Sequence, residues 1–315
     1  MKLVAYIRGG LGDIYPAISA IQPIIEKNNI SKYDITIITD SVYYFRDNYP
    51  KELEKMSLDM LHKISSNVIM VPPHINQNFN LAVNDVTEEF SQENADKNMN
   101  EFMFWRPESL KAFINNIIYR TGTCIFIDAF FTECIMQWNW NERKYERVGD
   151  ERKKFKSNPI LLEKKIIDYH LHNNHLLIHV RKKIEGDSHT CTEEYYNSII
   201  KFCNEKGIDA IVIGIDIYKL KGAFIDLRGL SPYSFEGMEY LINNCKVMLG
   251  NDSGFSAIKL YQQQKDKLLI MEHPRWERSD WYFRAIKDNS LCALLDARDN
   301  NISLIKTMIE EHYGQ

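Results

Sequence analysis

Lys2-Leu3-Val4-Ala5-Tyr6-Ile7 runs straight into Arg8-Gly9-Gly10-Leu11-Gly12-Asp13, and late in the chain Val247-Met248-Leu249 runs into Gly250-Asn251-Asp252-Ser253-Gly254. In both stretches an apolar run of strand length ends in a tight glycine turn. After the first turn, Ile14, Ala17, Ile18, Ile21, Ile24 and Ile25 recur at helical spacing, so Asp13 stands at a helix N-terminus, and Pro16 is expected in that helix's first turn. A strand that feeds a glycine turn and then a helix opens a βαβ unit, and open α/β sheets put their ligands at such turns. Two of them, one in each half, predict an α/β protein: two Rossmann-like domains with parallel sheets facing a central cleft.

The rhythm between the two turns agrees. Residues 34–39 read as a second strand, 51–66 as a helix, 67–71 as a short strand closed by Pro72-Pro73, and 123–129 as a buried strand. Segment 74–110 is polar and without clear period. Residues 175–180, 210–214, 224–227, 247–249 and 268–271 read as strands, and 192–206, 234–244, 256–262 and 302–312 as helices. The expected domains are residues 1–155 and 156–300, with 301–315 as a final helix.

The bulk properties restrict the function. Lys and Arg number 39 against 43 Asp and Glu, a net charge of -4, which argues against a general polyanion binder. One local exception exists: residues 143–156 hold seven basic and three acidic side chains. The first residues lack the long apolar region of a signal peptide, and no apolar run of about 18 residues is present, so a cytoplasmic location is expected. The six cysteines form no CxxC pair and read as reduced thiols.

Each turn has chemistry to weigh against a bland reading. The first is neither a dinucleotide fingerprint nor a P-loop. Asp13 would repel a pyrophosphate there, so the turn suits a hydroxyl-bearing acceptor, with Asp13 as general base; the alternative is a helix-capping Asp. In the second half, Arg181, Lys182 and Lys183 end a strand after Ile178-His179-Val180, and cations so placed suit a departing diphosphate; the alternative is a solvated basic turn. Gly250 to Gly254 offers amide, hydroxyl and backbone N–H groups at a helix start, where the helix dipole favours an anion; the alternative is an empty Asx turn. Arg275 and Trp276 stand in a strand-end loop suited to covering a base or an acceptor.

These residues resemble the heptosyltransferase-like glycosyltransferases of the GT-B fold (glycosyltransferase family 9-like). Gly10-Leu11-Gly12-Asp13-Ile14-Tyr15-Pro16-Ala17 is similar to that family's N-terminal Gly-Asp turn, His179 to Lys183 to its donor-binding turn, and Gly250 to Gly254 to its Gly-Asn-Asp-Ser-Gly run. The resemblance implies inverting transfer of a sugar from a nucleotide diphosphate to an acceptor hydroxyl, with no metal and no cofactor. It implies Asp13 as the base, Lys182 or Lys183 at the diphosphate, and Asp252, Ser253 and Gly254 at the donor sugar and phosphates, with residues 1–155 binding the acceptor and 156–300 the nucleotide sugar; Arg181, Gly214 and Asn251 are expected at the donor beside them, and Arg8, Gly10 and Gly12 at the acceptor. It also implies a final helix packed back on the N-terminal domain. One departure is plain: where the family has Pro-Met-His-Leu-Ala after the late motif, this chain has Phe255-Ser256-Ala257-Ile258-Lys259.

The expected acceptor is a glycan. The basic run 143–156 makes a modified nucleic-acid base the rival, and peripheral membrane contact stays open. His179-Val180-Arg181-Lys182 also looks like the His-x-Arg-Arg motif of GDP-fucose-dependent transferases. A non-catalytic binder on the same fold, with Ala257 marking a lost site, is the alternative from another class.

Overall fold

The computed structural model describes residues 1–8, 10–40, 51–72, 108–131, 134–148, 175–181, 191–214, 216–229, 235–251, 253–261, 266–273 and 291–314. The chain divides into two compact units, Met1–Phe155 and Lys156–Gln315.

The first unit is built on β1 (Lys2–Arg8), β2 (Ile35–Asp40), β3 (Asn67–Met70), β4 (Cys124–Phe131), β5 (Cys134–Asn139) and β6 (Lys144–Val148). They form one sheet in the order β3-β2-β1-β4-β5-β6. Between them run helices α1 (Leu11–Lys27), α2 (Lys51–Ile64) and α3 (Glu108–Thr121). Val4, Tyr6 and Phe126 meet Leu110, Ile114 and Ile118 of α3 in one core cluster. Those three α3 residues recur at the spacing that makes one helix face apolar.

The first sheet is parallel at its centre and antiparallel at one edge. β1 pairs in parallel with β2 and β4, and β2 with β3, but β4–β5 and β5–β6 are antiparallel. The reason is connection length. A parallel partner needs a crossover of a dozen or more residues, whereas β4, β5 and β6 follow one another through very short turns. Arg143, in the β5–β6 turn, takes a left-handed φ of 51°. Part of the basic run thereby becomes β6, with Lys144 salt-bridged to Glu142 and Glu146.

The second unit holds β7 (His175–Val180), β8 (Ala210–Gly214), β9 (Ile225–Asp226), β10 (Cys245–Asn251), β11 (Leu268–His273) and β12 (Cys292–Asp296). Their order is β12-β11-β10-β7-β8-β9, and every pairing is parallel. The helices are α4 (Glu193–Lys206), α5 (Phe235–Asn244), α6 (Gly254–Tyr261) and α7 (Ile302–Gly314). α4 starts at Thr192, whose hydroxyl accepts from the Tyr195 N–H, and stops at Gly207 in the left-handed conformation.

The final helix contributes to the core of the second unit. Ile305 and Ile309 of α7 are fully buried in the second unit's own core, with Leu176, Ile178, Val212 and Ile199. Lys306 Nζ donates to Ser198 Oγ of α4, and Lys206 pairs with Glu310. The apolar stripe of α7 is therefore spent against α4 and the second sheet.

Read outward from the central strand, both sheets have the order 3-2-1-4-5-6 in their own strand numbering. The chain reverses direction across the sheet between the first and fourth strands, and the crevice at their carboxyl ends is where such sheets bind ligands. These points are β1/β4 in the first unit and β7/β10 in the second.

Candidate functional site

The second unit's crossover point gathers three strand ends. β7 ends at Val180 and Arg181, β8 at Gly214, and β10 at Asn251, followed by the start of α6. Gly214 has φ +101°, and a Cβ there would sit 2.2 Å from the Val180 carbonyl oxygen. Only glycine lets β8 turn away so close to β7. The Arg181 N–H donates to the Tyr196 hydroxyl at 3.0 Å, which fixes the chain as it leaves β7.

Ser253 precedes α6 and caps it. Its Oγ accepts from the Ser256 N–H at 3.3 Å, and its carbonyl accepts from the Ala257 N–H at 3.0 Å. Ser256 Oγ in turn donates to the Asn251 carbonyl at 2.6 Å. Gly250 makes room for this: a Cβ there would lie 2.5 Å from Ser256 Oγ. Ser253 and Ser256 thus tie the end of β10 to the first turn of α6.

Two side chains face this turn with unusual surroundings. The Asn251 side chain is buried, 2% exposed for the residue, and its Nδ2 donates to no atom among the described residues. A buried amide without an acceptor costs about 1–3 kcal/mol, so the group stands in want of a partner. His179, on β7, brings Nδ1 to 3.2 Å from Ser253 Oγ and its ring edge-on to Phe255 at 4.8 Å. Burial, and secondarily the Arg181 charge, lower its pKa to about 3, so the imidazole is neutral at ordinary pH. The Ser253 hydroxyl also donates to Ser256 Oγ at 3.3 Å, and the direction of its contact with Nδ1 follows the imidazole tautomer.

One strand further out, Glu272 is fully buried at the end of β11, in register with Asn251. Burial pushes its carboxyl up to about 7, against the pull of hydrogen bonds from Tyr195 and Asn301. At the β8 and β9 ends, Arg228 ties Asp226, Asp216 and the Tyr218 carbonyl together.

In the first unit, Arg8 ends β1 with Nε 3.9 Å from Asp40 Oδ2, at the end of β2. Gly10 is the N-cap of α1, and Gly12 lies in its first turn. Asp13 reaches back: its Oδ2 accepts from the Gly10 N–H at 2.9 Å. The carboxylate therefore does cap the helix, with one oxygen engaged in that role. Pro16 falls in the second turn of α1 instead of the first, because the helix begins at Leu11.

The structure brings Arg181, Gly214, Asn251, Ser253 and Gly254 to one sheet edge, and Arg8, Gly10, Gly12 and Asp13 to another. Gly9, Lys182, Lys183, Asp252, Arg275 and Trp276 lie outside the described residues, as does the polar stretch 73–107. Sequence reasoning missed Glu272 and read past His179. Each stands in a largely apolar strand that carries one other polar residue, His175 in β7 and His273 in β11, and that was the available signal.

The chain matches no protein-family model and no curated protein. Its likeness is to solved structures. A family 9 glycosyl transferase from Veillonella parvula superposes with a TM-score of 0.51 at 12% identity, over 99% of this chain and 91% of that one. The E. coli heptosyltransferase WaaC with ADP superposes with a TM-score of 0.50 at 12% identity, over 99% and 100%. The fold is GT-B. At this identity the likeness concerns the backbone, and chemistry has to be argued from the residues. Among the described residues, no helix is long and apolar enough to cross a membrane. The β7/β10 edge of the second unit and the β1/β4 edge of the first are the strand-end crevices of their sheets.

Proposed function

We propose that the protein is a glycosyltransferase that takes a sugar from a nucleotide-diphosphate donor and passes it to an acceptor hydroxyl with inversion, without a metal ion or cofactor. The observation that carries this reading is the Asn251 amide, buried and without an acceptor beside the capped N-terminus of α6. A helix N-terminus and a fixed amide donor together make an anion cradle. Arg181, with Lys182 or Lys183, adds cations where charge develops on the leaving diphosphate. Asp13 deprotonates the acceptor hydroxyl, held by Gly10 in a fixed orientation, and Arg8 and Gly12 border the acceptor. The acceptor class is a glycan. The share of the basic run locked in β6 ion pairs weakens the case for a nucleic acid.

The test is a thermal-shift screen against ADP-, GDP-, UDP-, CMP- and dTDP-linked sugars, followed by turnover with and without EDTA. Stabilisation by one donor, with EDTA-insensitive turnover that Asp13→Asn abolishes, supports the reading. Donor binding with no turnover on any glycan acceptor favours a non-catalytic binder, and no stabilisation by any donor refutes the proposal.

A further inference from the structure

Asn251 and Glu272 are registered neighbours on parallel strands, so their side chains share one face of the sheet. Alternation from Val247 and Leu249, and from Leu268 and Ile270, makes it the face covered by α4 and α7. Every element packed there contributes to the surroundings of Glu272. From α4, the Tyr195 hydroxyl donates to Oε2 at 2.6 Å. Ahead of α7, Asn301 Nδ2 donates to Oε1 at 3.3 Å and also to the Asp296 carbonyl at 2.6 Å. From β12, the Asp296 carboxylate is paired with Arg298. From β10 comes the Asn251 amide. Tyr196 turns its hydroxyl to the β7 end, and Lys306 of α7 is bonded to Ser198. Among the described residues no cation pairs with Glu272. The two groups that hold it are neutral donors, and its carboxyl stands at about 7 because burial outweighs them.

Resting on the function proposed above, we infer that the anion site takes up a proton as it fills, and that Glu272 receives it. The carboxylate lies one strand from the amide that meets the anion, in a place with little water to screen it. Two like charges so placed repel, and protonating the carboxylate removes the repulsion. The proton comes from solvent and ends on a Glu272 oxygen, with no other bond made or broken. Filling the site raises the affinity of Glu272 for its proton, and by linkage a proton already there tightens donor binding. Glu272 does not touch the donor. Its part is to set the pH range over which the donor is held.

The experiment measures binding of ADP-, GDP- and UDP-glucose between about pH 6 and about pH 8. These diesters carry no phosphate that titrates in that range, so the probe itself is silent. If filling the site moves Glu272 up by about one further unit, affinity falls about fivefold over the range. Glu272→Gln keeps the shape without the charge, and its affinity is expected to be flat with pH at the wild-type acidic value. Tyr195→Phe removes a hydroxyl that stabilises the ionised form, so the affinity midpoint is expected to move to higher pH. That variant supplies the answer if the glutamine variant folds poorly. Binding that is flat in the wild type, or that keeps its slope in Glu272→Gln, overturns the inference and leaves the function standing. Binding of none of the three at any pH overturns both.

Discussion

Replacing Gly214 by Ala tests the geometry on which the second site depends. Two costs arise together. At φ +101° a side chain is strained, which costs about 1–2 kcal/mol for a non-glycine residue at positive φ. The new Cβ would also lie 2.2 Å from the Val180 carbonyl oxygen and 3.0 Å from His179 Cδ2. The first of these is backbone on a central strand, so β7 or β8 must move, and overpacking of that kind costs about 1–3 kcal/mol. Gly207 provides the control. It has φ +66° and nothing within 4 Å of a built Cβ, so Gly207→Ala carries the strain alone. Urea unfolding of both variants should place Gly214→Ala below Gly207→Ala by about 1–3 kcal/mol. Donor affinity should fall only in Gly214→Ala, because only that substitution disturbs the end of β7. Equal losses of stability in the two variants would refute the close approach of β8 to β7.

Four further outcomes follow from named contacts. Asn251→Ala should leave the unliganded protein close to wild-type stability, since the amide already lacks a partner, yet weaken donor binding by about 1.5–3 kcal/mol in titration calorimetry. Asp13→Ala should cost about 1 kcal/mol of stability from the lost contact with the Gly10 N–H, and lower turnover by about a hundredfold or more. Glu272 and His179 should oppose each other in the pH dependence of stability. Glu272 binds its proton more tightly when folded, so its contribution is full below about 4.5 and is lost as pH rises to about 7; Glu272→Gln should remove that fall, worth at most about 3 kcal/mol. His179 is neutral when folded but protonated when unfolded below about 6.5, so its contribution is lost as pH falls from there towards about 3, and Glu272→Gln should expose that acid loss in stability measured between about pH 4.5 and 6.5.

The strands that form both sheet centres were readable because they are buried on both faces. Leu3 to Ile7, Leu176 to Val180 and Val247 to Leu249 are almost fully excluded from water, and such strands appear as unbroken apolar runs. Helices with caps were equally plain: Thr192 and Gly207 bound α4 in the sequence and in the structure. What escaped was pairing direction and edge structure. β5 and β6 are short and partly exposed, and their antiparallel pairing is dictated by the turns between them, not by composition. α3 was hidden behind the polar stretch before it, although Leu110, Ile114 and Ile118 carry its period. The placement of Asn251, Ser253 and Gly254 at a strand end and a helix start was legible because glycine turns advertise themselves. Glu272 was not, because its importance depends on which strand lies beside β11, and that is a property of topology.

The central claim is that the second unit holds a nucleotide diphosphate at the carboxyl ends of β7 and β10. A crystal structure with the sugar nucleotide selected by thermal shift tests it most directly. The account predicts diphosphate oxygens within hydrogen-bond distance of Asn251 Nδ2 and at the first turn of α6, with Arg181 beside them. A nucleotide seated elsewhere, with the Asn251 amide still without an acceptor, would contradict it.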